Sequence, residues 1–160
     1  EASISEGNRH IEHFRQKGRD PTVTFAWDNL FGSCAREDSC GKHKDRCPAY
    51  PPEVLIKPDC EDPEHYLLFD QHGGVSPRSN LSEADRHRAV ETIRIFNLDG
   101  VLRAIRHRQI IGYVQTAETF AELAEQFDES EWYPLLEQEI AATAHLPYAT
   151  AIKHVLTRQS

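Results

Sequence analysis

Apolar positions recur with two different periods along this chain, and the change of period divides it. Residues 10–14 read His-Ile-Glu-His-Phe, a short extended segment entered from the Gly7-Asn8 turn signal. Val23, Phe25 and Trp27 alternate with smaller or polar residues, which predicts a second short extended segment packing its odd positions. Leu30 and Phe31 are expected in the core. A helix is expected over 40–46, closed off by Pro48, Pro51 and Pro52. Val54-Leu55-Ile56 forms a buried run, and 65–75 reads as a hairpin turning at Gly73-Gly74.

Beyond residue 80 the period becomes helical. Ala84, Ala89 or Val90, Ile93, and Phe96 or Leu98 follow a Ser82 N-cap with Asp85 three residues on, and Asn97 to Gly100 ends that helix. A longer amphipathic pattern runs over 101–127, with Leu102, Ile105, Ile110 or Ile111, Val114, Phe120, Leu123 and Phe127 on its apolar side. It carries a basic group, Arg103, Arg106, His107 and Arg108, read as a solvated helix face. Two more helices are expected over 131–144 and 148–156, separated by Pro147. The fold class is therefore α+β, with a first lobe over 1–78 and a helical lobe over 79–160 that buries its own core or docks on a partner.

Charge sharpens this division. The net charge is -8, yet residues 1–47 hold eight acidic and eight basic side chains, so all the excess negative charge lies later. Such a surface repels a nucleic-acid duplex, and binding to one would depend on local cations and on a partner protein. No apolar run approaches the roughly 20 residues that span a bilayer, and residues 1–9 carry no signal-peptide pattern. A cytoplasmic location is the expectation, and with it four reduced cysteines, Cys34, Cys40, Cys47 and Cys60, better suited to zinc than to disulfides. Their spacing lacks the compact C-x-x-C pairs of a strong zinc signal, and four ordinary thiols are the alternative.

Candidate chemistry is concentrated between residues 9 and 44. His10, Glu12 and His13 crowd into four positions, and all three are expensive to bury unless paired or metal-bound. Adjacent strand residues point to opposite faces. That suits Glu12 as a metal ligand and His13, set to one side, as the group that takes a proton from water in phosphodiester hydrolysis. Asn29 can hydrogen-bond the backbone on both sides of a loop. The segment Arg15-Gln16-Lys17-Gly18-Arg19 has the composition of a loop meeting phosphates or of an ordinary solvated loop. Lys42, Lys44 and Arg46 on the short helix are further candidates for phosphate.

These residues carry a family resemblance. Glu12-His13, Asn29-Leu30, Cys34, Cys40, His43 and Lys44, with the stretches HIEHFRQK, WDNLFGSC, CGKHKD, EHYLLFDQHGGVSP and AVETIRIFNLD, resemble the HNH or ββα-metal nucleases. The wording is similar to a bacterial subfamily that includes the nuclease subunit of Septu-type and retron-associated anti-phage systems, over roughly the first two thirds of the chain. The resemblance implies an N-terminal ββα-metal lobe with His13 as general base and Asn29 steadying its loop. Glu12 and His43 would be metal ligands, with His10 as a further ligand or a support.

His43 is chosen over its neighbours because Gly41 has no side chain and Lys42 is a poor ligand. The catalytic ion would be Mg²⁺ or Mn²⁺, with Zn²⁺ or Ni²⁺ also acceptable to an imidazole site. A structural Zn²⁺ would be held by Cys34 and Cys40, completed by an upstream C-x-x-C pair or by Cys47 and Cys60. Phosphate contacts would fall to Arg15, Lys17, Lys42 and Lys44. The implied partners are nucleic acid, DNA first, and an ABC/SMC-type ATPase. A zinc-stabilised interaction module without catalysis is the rival from another class, and a hydrolase of small phosphate esters is a third reading.

Overall fold

The computed structural model describes residues 7–157, so most of the polar stretch at 1–8 lies outside the described residues. The protein is α+β. A strand β1 (Arg9–His13) pairs antiparallel with β2 (Leu30–Cys34), in a register that sets Glu12 opposite Phe31 and His13 opposite Leu30. Helix α1 (Cys40–Arg46) follows. A second two-stranded sheet joins β3 (Leu67–Phe69) to β4 (Val75–Pro77). Four helices complete the chain: α2 (Glu83–Phe96), α3 (Val101–Gln126), α4 (Glu129–Thr143) and α5 (Ala149–Leu156). None of the described helices is long and apolar enough to cross a membrane.

Contacts group the described residues into two compact units. One comprises 7–67 with 76–102, the other 68–75 with 103–157. Helix α2 thus belongs with the N-terminal strands, because its apolar side packs there. Ile95 joins Phe14 and Leu55 in a buried cluster, flanked by Phe31, Tyr50, Val54 and Phe96. The α2 start is built as its sequence suggests, with Ser82 Oγ accepting the Asp85 N–H at 3.1 Å. Its end is set by Asn97 in the left-handed region, φ 50°.

In the other unit, His154 is fully buried and its Nδ1 accepts the Phe69 N–H at 3.1 Å. The hairpin turn there needs Gly73 at φ 77°, and a Cβ at that point would overlap the Arg103 carbonyl. One expectation is overturned in this unit. Arg106 is not on a solvated face: it is fully buried, its Nη1 donates to the Gly73 carbonyl, and its guanidinium lies 4.7 Å from the Phe69 ring centre.

A second correction concerns 21–29. The alternation of Val23, Phe25 and Trp27 is not a strand. The chain makes two 3-10 turns, Pro21–Val23 and Trp27–Asn29, because proline presets the first and the Asn29 N–H closes back on the Ala26 carbonyl at 2.9 Å. Phe25 and Trp27 therefore point outward, 91% and 88% exposed.

Candidate active site around β1, β2 and α1

The pleat of β1 sorts the candidate residues as its period requires. His10 and Glu12 share one face, and Glu12 is buried; Ile11 is exposed on the other face and His13 is half-buried. His10 Nε2–H donates to Glu12 Oε2 at 3.2 Å, and His10 Nδ1 is buried with no hydrogen-bond partner. Glu12 Oε1 is taken by a cation from the protein itself. Lys44, fully buried, brings its Nζ to 2.6 Å from that oxygen and to 2.6 Å from the His13 carbonyl, with Asp45 Oδ1 at 3.0 Å. Lys44 is therefore not a phosphate contact, since its ammonium is spent inside the fold.

Helix geometry explains which residues of α1 meet Glu12. Residues three apart lie on one face, and residues two apart are turned by about 200°. Gly41 and Lys44 share the face toward β1. Gly41 approaches so closely that any Cβ there would overlap Glu12 Oε2. His43 faces elsewhere, its Nδ1–H donating to the Ile95 carbonyl of α2 at 2.9 Å, with Cys47 Sγ 3.9 Å away. That hydrogen bond engages Nδ1 and leaves Nε2 of His43 as its other ring nitrogen.

The donor set can now be weighed against a catalytic divalent ion. Glu12 Oε2 meets His10, Oε1 lies 2.6 Å from the Lys44 ammonium as an ion pair, and both Oε1 and His10 Nδ1 are buried without a hydrogen bond among the described residues. Among the described residues no three His, Cys, Asp or Glu side chains are grouped as a metal site needs.

Zinc fares differently. Cys34 and Cys40 hold their sulfurs 3.3 Å apart, with Cys34 buried and Cys40 in the left-handed region at φ 55°. Burial pushes the Cys40 thiol up to about 12, with the neighbouring Cys34 adding to the effect. This pair supplies half of a four-ligand site. Cys47 lies against His43 and the Ile95 carbonyl, and Cys60 is exposed beside Lys57, so neither stands with the pair.

Asn29 is buried and bonds the backbone on both sides of its loop. Its Oδ1 accepts the Arg15 N–H at 2.7 Å, while Nδ2 donates to the Val23 carbonyl at 3.1 Å and the Arg15 carbonyl at 3.5 Å. The segment that follows His13 is thereby braced from two sides. The His13 imidazole itself has no hydrogen bond among the described residues. Of the remaining candidates, Arg15 pairs with Asp20 at 3.3 Å, Lys42 with Glu37 at 2.5 Å, and Lys17 is exposed.

Sequence reasoning missed two features here. The first is the inward role of Gly41 and Lys44, whose signal was a glycine and a lysine three apart on a short helix. The second is a cavity of about 470 Å³ lined by Phe14, Arg15, Asn29, Lys57, Glu61 and Arg88. Arg88 grips Glu61 at its mouth through two hydrogen bonds, Nη1 to Oε1 at 2.8 Å and Nη2 to Oε2. The pair joins α2 to a loop 27 residues away, which spacing alone does not reveal. Compared with protein-family models and with curated proteins, the chain gives no match.

Proposed function

We propose that this protein is a nuclease of the HNH type that hydrolyses nucleic-acid phosphodiesters, DNA first, with His13 as the proton acceptor. The observation that carries the reading is the state of His13. Its backbone is held by Lys44 on its own carbonyl and by Asn29 two residues on, while its half-buried imidazole makes no hydrogen bond among the described residues. An imidazole held in that position can take a proton from a water attacking phosphorus in line with the departing oxygen. The order of β1, β2 and α1 and the Cys34–Cys40 pair agree with a ββα-metal lobe carrying a structural zinc. The resemblance further supports an ABC/SMC-type ATPase as partner and a role in anti-phage defence.

The test is plasmid cleavage by the protein alone and with such an ATPase, in Mg²⁺, in Mn²⁺ and in EDTA, against His13→Ala. The expected result is cutting that falls about 100-fold or more in the variant, the loss typical of a removed general base. A folded, zinc-loaded protein that cuts under none of these conditions would sink the reading.

One specific observation favours a second reading, a zinc-stabilised interaction module. Lys44 neutralises the one buried carboxylate of the motif, as a structural ion pair would. Partner binding that survives His13→Ala, with no cleavage by the native protein, selects it.

A further inference from the structure

We infer that Phe25 and Trp27 form a stacking platform for unpaired nucleobases. This deepens the nuclease reading and rests on it, since it names the form of nucleic acid that the site receives.

The two rings are the most exposed large apolar side chains among the described residues, at 91% and 88%. Their loop is not loose. Thr24 N–H and Ala26 N–H close 3-10 type bonds at 3.4 and 3.1 Å, the Asn29 N–H closes another at 2.9 Å, and the Asn29 side chain ties Val23 to Arg15. Rings held outward on a pinned loop lose little conformational freedom on binding, which is what a preorganised contact requires.

Charge selects the occupant. The preceding segment 15–19 exposes Arg15, Lys17 and Arg19. Arg15 is spent on Asp20, which Thr22 also holds, but no ion pair engages Lys17 or Arg19 among the described residues. Asp28, the other carboxylate of the loop, lines the cavity beside Lys57 and Arg88. Two free cations next to two outward aromatic faces suit a strand whose phosphates meet the cations while its bases lie on the rings. In an intact duplex the bases are already stacked on one another and are reached only by unstacking them. The occupant is therefore a single strand or a frayed end.

The test measures binding of labelled single-stranded DNA, single-stranded RNA and duplex DNA by fluorescence anisotropy, in buffer without Mg²⁺, Mn²⁺ or chelator, so that no Mg²⁺- or Mn²⁺-dependent cleavage occurs and bound zinc is kept. The proteins are the native full chain, Phe25→Ala/Trp27→Ala, Trp27→Phe, and Lys17→Gln/Arg19→Gln. Native protein should prefer a single strand to the duplex, and the two single-stranded probes separate DNA from RNA. The double alanine variant should bind about 10-fold more weakly with an unchanged salt dependence, and Trp27→Phe should retain most of the affinity. Removing the two cations should instead lower the salt slope by roughly 1.4.

Equal binding by native and double alanine proteins, or native preference for the duplex, overturns the platform. So does Trp27 emission, read in a Trp132→Phe background, that the ATPase partner shields from a quencher and a saturating strand does not. The two readings fail separately. A native protein that binds strands through Trp27 without cutting loses only the nuclease reading; one that cuts plasmid while the double variant binds normally loses only the platform.

Discussion

Lys44 and Glu12 form a buried ion pair, Nζ to Oε1 at 2.6 Å, in which the lysine is completely inaccessible to solvent. The second carboxylate oxygen meets His10, and the ammonium also ties the His13 carbonyl to α1. One lysine thus joins helix to strand at the residue proposed to accept a proton. Lys44→Met leaves Glu12 buried without its cation and should cost about 3–5 kcal/mol in a urea titration. Pairing it with Glu12→Gln should recover much of that loss. If Lys44→Met alone unfolds with native stability, the ion pair is not the link between α1 and β1.

The glycine beside this pair is required for space. Gly41→Ala drives a methyl group into the Glu12 carboxylate, which cannot retreat because Lys44 holds its other oxygen. The expected loss is about 1–3 kcal/mol, the usual cost of overpacking. Thermal unfolding of Gly41→Ala beside Gly18→Ala, where no atom lies within 4 Å, separates crowding from the general effect of replacing glycine.

Asn29→Ala removes one acceptor and one donor from a buried loop junction. Orphaning the Arg15 N–H and the Val23 carbonyl should cost about 1–3 kcal/mol. Hydrogen exchange at the Arg15 amide should accelerate well beyond the global change. Asn29→Asp keeps the acceptor and should preserve Arg15 protection better than alanine does.

The Arg88 guanidinium beside Glu61, helped by the Tyr66 hydroxyl at 2.8 Å, lowers that carboxyl to about 2. A carboxylate depressed in the folded state contributes stability that is complete above its unfolded value near 4.5 and disappears as pH falls toward 2. Arg88→Leu should therefore flatten the stability profile between those limits and lower stability at neutral pH by about 1–2 kcal/mol, allowing for the partial exposure of both side chains. Parallel slopes for native and variant below pH 4.5 would remove Glu61 as the source.

Thiol labelling separates the four cysteines. Cys60 is exposed, whereas Cys34 is buried and burial holds the Cys40 thiol at about 12, protonated and unreactive at ordinary pH. Alkylation of zinc-free protein at pH 8 should mark Cys60 first, read by peptide mass spectrometry. Early modification of Cys40 would contradict the packing around the pair.

The legible parts of the fold were those with a local cause. The period of two placed His10 and Glu12 on one face of β1. Ser82 with Asp85 started α2, and the glycine turn between β3 and β4 needed a left-handed residue that Gly73 supplies. Asn29 is a similar case, since its amide can bond backbone on two sides of any loop it closes. The failures involve partners distant in sequence. Lys44 and Arg106 read as surface cations because burial of a charge depends on a carboxylate, a carbonyl or a ring that the fold brings from 32, 33 and 37 positions away.

By itself the chain determined its helices and first strand, its α+β class and the crowding of His10, Glu12, His13, Asn29 and two cysteines into one region. Only the tertiary structure decided how those groups are spent. It turned Gly41 and Lys44 toward Glu12 and His43 toward Ile95, and it left the His13 imidazole with no hydrogen bond among the described residues. The reason is that a helix can present a given residue to one neighbour only, and which face meets the strand is settled by packing against β1 and α2 together.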